Sequence, residues 1–185
     1  MENGLSPELN GRIGAYRELL IGCGSNRQKK AIHGGSLEWK NLTTLDQLAR
    51  HHPDVIWDLE TLPLPFPDDY FDEIHAYDVI EHCTGQQGDP VPFLAFFTEI
   101  HRILKPAGVF CAIVPYDLSA GAWGDISHKR VINEVTLSFL SQSEYEKQVG
   151  NSPMSDFRDI YKADFTVVTR RRDDEVFAFV LRAIK

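Results

Sequence analysis

Short apolar runs alternate with turns and helical stretches along the chain. Apolar and β-branched runs of this length are typical of strands buried on both faces of a sheet. They occur at residues 18–21, 42–45, 55–57, 71–76 and 109–114. The alternation predicts an α/β fold built on a mostly parallel sheet.

Helical periodicity is clearest in residues 93–104. Phe93, Phe97, Ile100 and Leu104 are spaced by four, three and four positions, which places them on one face of a helix. The segment that follows, Lys-Pro-Ala-Gly, is typical of a helix end. Two further helices are predicted, one that starts near the N-cap candidate Asn133 and one over residues 143–149.

The last part of the chain has a different pattern. Residues 164–169 and 176–184 are rich in β-formers with no helical stretch between them, which predicts a terminal antiparallel hairpin. The basic run 170–172 is followed at once by three acids, so we interpret it as a solvated hairpin tip rather than a binding patch. Residues 25–41 and 47–53 are weakly patterned, which predicts short or irregular early crossovers.

The chain length indicates one domain over residues 1–185, since we find no repeat or linker within it. Apolar residues make up 43% and charged residues 25%, as in an ordinary globular protein. Nineteen basic side chains against 27 acidic ones give a net charge of −8, which disfavours broad nucleic-acid binding. The oligomeric state is left open.

The chain contains no apolar run near the roughly 20 residues that span a bilayer. Its first ten residues lack the basic and apolar regions of a secretion signal. Three cysteines are an odd number, which fits a reducing compartment. These features predict a cytoplasmic protein without a membrane segment. We expect Cys83 and Cys111 to be small buried apolar side chains.

Four predicted strands end in residues suited to a ligand. They are followed by the turn Gly22-Cys23-Gly24 and by Asp46, Asp58 and Asp78. Ligands of open parallel sheets bind beyond the carboxyl ends of the strands. Glycines allow a tight turn and close backbone approach, and an acid ending the second strand is placed for a ribose diol. Each residue alone also fits a plain turn or cap, but together they favour a nucleoside-containing ligand.

Four segments resemble a known family. They are LLIGCGSN (residues 19–26), TTLD (43–46), DLETLPLPFPDDYFDEIHAYDVIEH (58–82) and EIHRILKPAGVF (99–110). Together with the terminal hairpin, they resemble the class I, Rossmann-like methyltransferases that use S-adenosylmethionine. The resemblance covers residues 19–114 well. It implies the strand order 3-2-1-4-5-7-6 with strand 7 antiparallel and helices on both faces of the sheet.

The resemblance also implies roles for the residues at the strand ends. Gly22, Cys23 and Gly24 correspond to the turn under the methionine part of the cofactor, and Asp46 to the acid that holds the ribose hydroxyls. Asp58 and Leu59 correspond to the adenine contacts. Asp78 lies where the fourth strand opens beside the sulfonium.

Two positions depart from the family pattern, and they keep a second interpretation open. Leu20 stands where the family often has an acid, and Asn26 replaces its third glycine. With the weak early crossovers, they fit a non-catalytic relative that binds the cofactor or a partner. An enzyme is favoured by Asp46, Asp58 and the polar loop 122–130. A dinucleotide oxidoreductase is disfavoured, because Arg27 stands where G-x-G-x-x-G needs glycine.

The methyl acceptor, a small molecule or another unidentified group, is expected to contact residues that follow strands four and five. We take His128 as the general-base candidate, since its unperturbed pKa is near neutrality, with His82 and Asp125 as further catalytic candidates. Local spacing around His75, His82 and Cys83 supplies no complete ligand set, so we expect no metal. Other candidates for the acceptor pocket are Glu81, Tyr116, Trp123 and Arg130.

Overall fold

A seven-stranded sheet forms the centre of the computed structural model, which describes residues 16–30, 32, 34 and 36–185. The strand order is β3-β2-β1-β4-β5-β7-β6; β7 is antiparallel to β5 and β6, and the other pairs are parallel. This confirms the predicted fold class. The first ten residues, which carried the secretion argument, lie outside the described part. The strands are β1 (Glu18–Ile21), β2 (Leu42–Asp46), β3 (Val55–Ile56), β4 (Phe71–Tyr77), β5 (Leu104–Pro115), β6 (Phe165–Arg172) and β7 (Val176–Ala183).

Some helices begin directly after residues whose side chains cap them. Pro90 occupies the first position of α2, and the Asp89 side chain accepts a hydrogen bond from the Val91 amide at 3.0 Å, so α2 begins earlier than periodicity alone predicts. Asn133 caps α4 as predicted, through a capping box with Thr136. The helices are α1 (Ile80–Cys83), α2 (Pro90–Ile103), α3 (Ala120–Gly124), α4 (Glu134–Ser138) and α5 (Gln142–Gln148).

Two segments differ from their predicted structure. Residues 105–108 do not follow the helix as a loop: they belong to β5, whose pairing with β4 is interrupted by a register shift between Phe71 and Glu73. The three arginines at 170–172 lie in β6 rather than in the turn, although they are solvent-exposed as predicted. Asp173 makes the turn, because its carboxylate accepts hydrogen bonds from the Glu175 and Val176 amides.

The two faces of the sheet are covered differently. One face packs on a large apolar core that includes Phe93, Phe97 and Ile100 of α2. On the other face, alternate residues of β5 and β7 pack with Ile32 of the first crossover in a smaller cluster. No residue of the described helices belongs to this cluster, which differs from the expected arrangement with helices on both faces. The described residues of that crossover contain no helix, and the next crossover has one 3-10 turn, Ala49–His51, so both are irregular as predicted. No helix in the described ranges is long and apolar enough to cross a membrane.

A buried charge cluster holds the first crossover on the sheet. Glu18 and Glu73 are register partners on β1 and β4, and both are buried. The Lys29 ammonium group donates to both carboxylates, at 2.9 Å to Glu73. Burial alone would lower the pKa of Lys29, but these bonds outweigh it and raise the pKa. Burial likewise opposes ionisation of Glu73, yet hydrogen bonds from His75, Tyr16 and Lys29 lower its pKa.

We predict that Lys29→Met destabilises the protein by about 3–5 kcal/mol, because it leaves two buried carboxylates without their cation. Urea unfolding measures the difference. Lys147→Met is the matched control, since Lys147 forms an exposed ion pair with Glu144 at 3.0 Å and its loss should cost under about 1 kcal/mol. Equal stability of the Lys29→Met variant and the parent would contradict this prediction.

The effect of Lys29→Met should depend on pH. The folded-state pKa of Glu73 is lowered, so its stabilisation is present above its unfolded-state pKa and is lost as the pH falls. We therefore expect the difference in unfolding free energy between parent and variant to narrow as the pH falls from 7 to below about 4. A difference that stays constant over this range would show that the cluster is not ionised as described.

Candidate functional site

A cavity of about 480 Å³ lies at the carboxyl ends of β1 to β4. Its walls come from the segments that follow these strands and from the loop after α3. This is the edge at which a parallel sheet with this strand order binds its ligand. The lining residues are Gly22, Asp46, Gln47, Leu48, Trp57, Asp58, Leu59, Glu60, Asp78, Val79, His82, Cys83, Ser127 and Lys129.

The glycine turn after β1 requires its glycines for two different reasons. Gly22 has φ of 56°, and a Cβ there would lie 2.5 Å from a Val79 methyl carbon, so packing excludes any side chain. Gly24 has φ of 51°, in the left-handed region that favours glycine, although a Cβ there would meet no atom within 4 Å. Its backbone amide donates to Asp46 Oδ2 at 2.9 Å. The turn is therefore fixed to β2 through a carboxylate.

Asp46 is the buried acid of the cavity, with 7% of its surface exposed. Its second oxygen accepts a hydrogen bond from the Leu48 amide at 2.8 Å. Each carboxylate oxygen has a further lone pair, so the group can still accept bonds from a ligand. Asp58 and Asp78 also line the cavity but are exposed, and Lys30 Nζ lies 3.8 Å from Asp78 Oδ2.

Apolar side chains form one wall of the cavity. Leu59, the expected adenine contact, lines the cavity and is buried. Leu48, Trp57 and Cys83 also line it, and they were not predicted to do so. The Trp57 indole is held by a hydrogen bond from Nε1 to the Thr61 carbonyl at 2.8 Å. A sequence signal existed for two of them, since Trp57 directly precedes Asp58 and Leu48 follows Asp46 by two positions. Cys83 is only partly buried, although it was expected to be buried, whereas Cys111 is fully buried as expected.

The opposite side of the cavity is formed by the loop after α3. The Lys129 ammonium group pairs with Glu60 at 2.6 Å, which joins this loop to the segment after β3. Ser127 also lines the cavity, and its hydroxyl donates to Asp125 Oδ1 at 2.6 Å. Hydrogen bonds from Ser127 lower the pKa of Asp125. Asp125 thus stabilises the loop beside the cavity but does not line it.

Two histidines meet at this side. The ring centroids of His82 and His128 are 4.7 Å apart in an edge contact. His82 lines the cavity and its Nδ1 lies 3.3 Å from the Ser127 carbonyl oxygen; His128 lies behind it, with Nδ1 3.2 Å from the Ala122 carbonyl oxygen. His82 Nδ1 also lies 3.2 Å from the Ser127 hydroxyl, whose own proton goes to Asp125. Because a carbonyl only accepts, these contacts assign the proton to Nδ1 and leave a lone pair on Nε2 of each ring.

Glu81 is the most unusual acid near the cavity. It is 2% exposed, and neither carboxyl oxygen has a hydrogen-bond partner among the described residues. Burial raises the pKa of Glu81 to about 7. His82 Nε2 lies 4.0 Å from Oε1, beyond hydrogen-bond distance. From the sequence, Glu81 was expected only among the residues of the acceptor pocket; its burial depends on the packing of α1.

Several candidates lie elsewhere. The Cys23 side chain is buried outside the cavity lining, and burial raises the pKa of its thiol. Arg130 is buried and donates to backbone carbonyls, including that of Gln86 at 2.8 Å, so it holds the chain together rather than facing an acceptor. Trp123 is 71% exposed, and Tyr116 packs at the edge of the main core. None of these four lines the cavity.

Comparison with known proteins agrees with this geometry. The family model described as a methyltransferase domain matches residues 19–112. A probable methyltransferase of Arabidopsis thaliana, PMT22, is 31% identical over 105 residues; the match covers 50% of this chain and 15% of that protein. The chain thus spans less than a sixth of that relative's length.

Solved structures show the same fold. A SAM-dependent methyltransferase from Archaeoglobus fulgidus superimposes with a TM-score of 0.58 at 15% identity, over 91% of this chain and 86% of its own. The N-methyltransferase NodS from Bradyrhizobium japonicum, in complex with S-adenosyl-L-homocysteine, gives 0.55 at 16% identity, over 92% and 79%. These findings agree with the predicted cofactor, S-adenosylmethionine. Because the family model matches half of this chain, the chain belongs to the methyltransferase-domain family.

Proposed function

We propose that this protein transfers the methyl group of S-adenosylmethionine to an acceptor that enters beside His82. The observation that carries the proposal is the cavity at the four strand ends, with the buried carboxylate of Asp46 in its wall. Its volume of about 480 Å³ lies within the usual range for small-molecule sites. When bound, the cofactor supplies a methyl group activated on a sulfonium.

The lining residues suit the parts of this cofactor. Asp46 has lone pairs for two ribose hydroxyls, while Trp57 and Leu59 offer apolar surface for a base. Asp58 is placed near that surface as an acceptor for an exocyclic amine. Asp78 adds a negative charge to the cavity, which favours a cationic ligand. Gly22 and Gly24 shape the turn; Cys23 supplies only backbone to it.

The residues on the acceptor side have two roles: they orient the acceptor, and they accept a proton from it. Methyl transfer needs the reacting atoms aligned at about 3–3.5 Å, so a wall that positions the acceptor is the main requirement. His82 and His128 present Nε2 lone pairs that accept a proton from an acceptor that carries one. Asp125 Oδ2 lies 3.8 Å from His128 Nε2, which is beyond hydrogen-bond distance, and its negative charge would stabilise the imidazolium that forms when Nε2 takes a proton.

A non-catalytic cofactor-binding or partner module is the alternative. Leu20 is fully buried in β1, so the acid that the family often has there is replaced by a core side chain. Conversion of S-adenosylmethionine to S-adenosylhomocysteine, measured against a panel of amine, hydroxyl, carboxyl and thiol acceptors, separates the two proposals. A pure binding module would bind the cofactor and leave it unchanged.

We propose a cytoplasmic setting for this protein. The three cysteines are free, as expected of a cytoplasmic protein in a reducing compartment. The net charge of −8 favours a small molecule or another weakly charged acceptor over bulk nucleic acid.

We predict that Asp46→Asn weakens S-adenosylmethionine binding by about 1.5–3 kcal/mol, roughly 10- to 100-fold. The amide removes the charge and leaves one oxygen for the Gly24 and Leu48 amides and for the ribose. Isothermal calorimetry measures the affinity, and Asp174→Asn, an exposed acid in the distant hairpin turn, is the control. Unchanged affinity of the Asp46→Asn variant would remove Asp46 from the cofactor site.

We predict that His128→Ala leaves cofactor affinity within about 0.5 kcal/mol, because His128 does not line the cavity. With an acceptor from the panel, turnover should fall by about 100-fold or more, because His128 packs against the cavity-lining His82 and its loss would disable proton acceptance on that side. Calorimetry and formation of S-adenosylhomocysteine give the two quantities. Loss of binding with normal turnover would reverse the assignment of cofactor and acceptor sides.

A further inference from the structure

Three metal-binding side chains converge next to the cavity although they come from two separate segments. Glu81 and His82 belong to α1, and His128 belongs to the loop after α3. One ligand atom of each lies within 4.8 Å of the other two. Two imidazoles and a carboxylate are a common donor set for first-row divalent metals in proteins.

The hydrogen bonds of the two imidazoles are those of metal-binding histidines. Metal-ligating histidines nearly always donate their other ring N–H to a carbonyl or carboxylate, which fixes the tautomer. His82 and His128 each direct Nδ1 to a backbone carbonyl, at 3.3 and 3.2 Å. Both Nε2 lone pairs therefore remain for another ligand.

The carboxylate of Glu81 supplies an independent observation. It is 2% exposed, and both of its oxygens lack a hydrogen-bond partner in the described part of the chain. A buried carboxylate without partners is costly, so such groups are normally paired or coordinate a metal. A cation between Glu81 and the two imidazoles would satisfy it.

We propose that Glu81, His82 and His128 bind a first-row divalent cation such as Zn²⁺, Co²⁺ or Mn²⁺ beside the cavity. When metal–ligand bonds are about 2.1 Å long, the ligand atoms lie roughly 3–4 Å from one another. Side-chain rotations that move these atoms by about 1 Å would bring all three within bonding distance of one cation. Asp125, with Oδ2 3.8 Å from His128 Nε2, adds a second negative charge at its edge. This departs from the expectation of no metal, which considered only local spacing.

A second group, Glu18, Glu73 and His75, also has its ligand atoms close together. Lys29 already occupies it, since its ammonium group pairs with both carboxylates. That group therefore has its cation from the protein itself. The contrast supports the first group, in which no ammonium or guanidinium from the described residues contacts the carboxylate.

The cation has a consequence for the acceptor, and this part rests on the proposed function. Since His82 lines the cavity, a cation on its Nε2 faces the acceptor side. It attracts a hydroxyl or carboxylate oxygen and lowers the pKa of a bound hydroxyl, whereas it repels a protonated amine. The acceptor class is then an oxygen nucleophile. A hydroxyl bound to the cation would lose its proton to solvent water, and its oxygen would then bond to the methyl carbon as the bond between that carbon and the sulfonium sulfur breaks and S-adenosylhomocysteine leaves. With the cation bound, the two histidines would serve as its ligands, which replaces the direct proton acceptance described under the proposed function.

Cation binding is tested on the purified chain without cofactor or acceptor. After chelator treatment and dialysis, Co²⁺ is titrated and followed by its visible absorption, and Zn²⁺ by calorimetry, with Mg²⁺ as the comparison. We expect one Co²⁺ per chain and affinity reduced at least about tenfold in His128→Ala and Glu81→Gln. Glu81→Gln keeps the shape of the side chain. If circular dichroism shows that His128→Ala is not folded, the Co²⁺ affinity of Glu81→Gln tests the proposed site instead.

The control is the double variant His51→Ala/His52→Ala. It removes two consecutive histidines that do not belong to the proposed cation site. Its affinity for Co²⁺ should equal that of the parent. Absence of binding, or loss only in this double variant, would overturn the inference. Cofactor affinity measured in chelator keeps the outcomes apart: if the cofactor binds and Co²⁺ does not, the proposed function stands and the cation site is wrong. If Co²⁺ binds and the cofactor does not, the cation site stands alone.

Discussion

The ammonium group of Lys29 is the buried charge on which the first half of the sheet depends. Parallel pairing places Glu18 and Glu73 side by side on β1 and β4, where both are buried. Two carboxylates in that position would repel each other, and the ammonium group of Lys29 from the first crossover bridges them and offsets part of this repulsion. In many sheets of this type a helix covers that face; here, among the described residues, an irregular segment does so, anchored by an ion cluster and the side chain of Ile32.

The cavity is the second consequence of parallel pairing. Because neighbouring parallel strands end at the same edge, residues separated along the chain become neighbours. Asp46 turns this proximity into a fixed structure, since its carboxylate binds the amides of Gly24 and Leu48. The same edge collects Asp58, Asp78 and other acids, with Lys129 paired to Glu60. The resulting negative character suits a cofactor that carries a sulfonium.

Burial of the Glu81 carboxyl group costs free energy that its packing does not offset. A folded protein normally pairs its buried polar groups, yet this carboxyl group has no hydrogen bond from the described residues. The neighbouring His82 and His128 are held by backbone carbonyls so that their second nitrogens remain available. Because a buried acid without partners is destabilising, a ligand that bound it together with the two imidazoles would offset this cost.

The sequence by itself determined the strands, their order by resemblance to a family, and the residues that end them. These depend on local patterns: apolar runs, the glycine turn, the Asn133 cap and acids at strand ends. It could not reveal that Val79 leaves no room for a side chain at Gly22, that Arg130 is buried and donates to backbone carbonyls, or that Cys83 lines the cavity. Nor could it bring His128 to Glu81. Burial, ring contact and unpaired oxygens arise between segments far apart in the chain, so only the tertiary structure decided them.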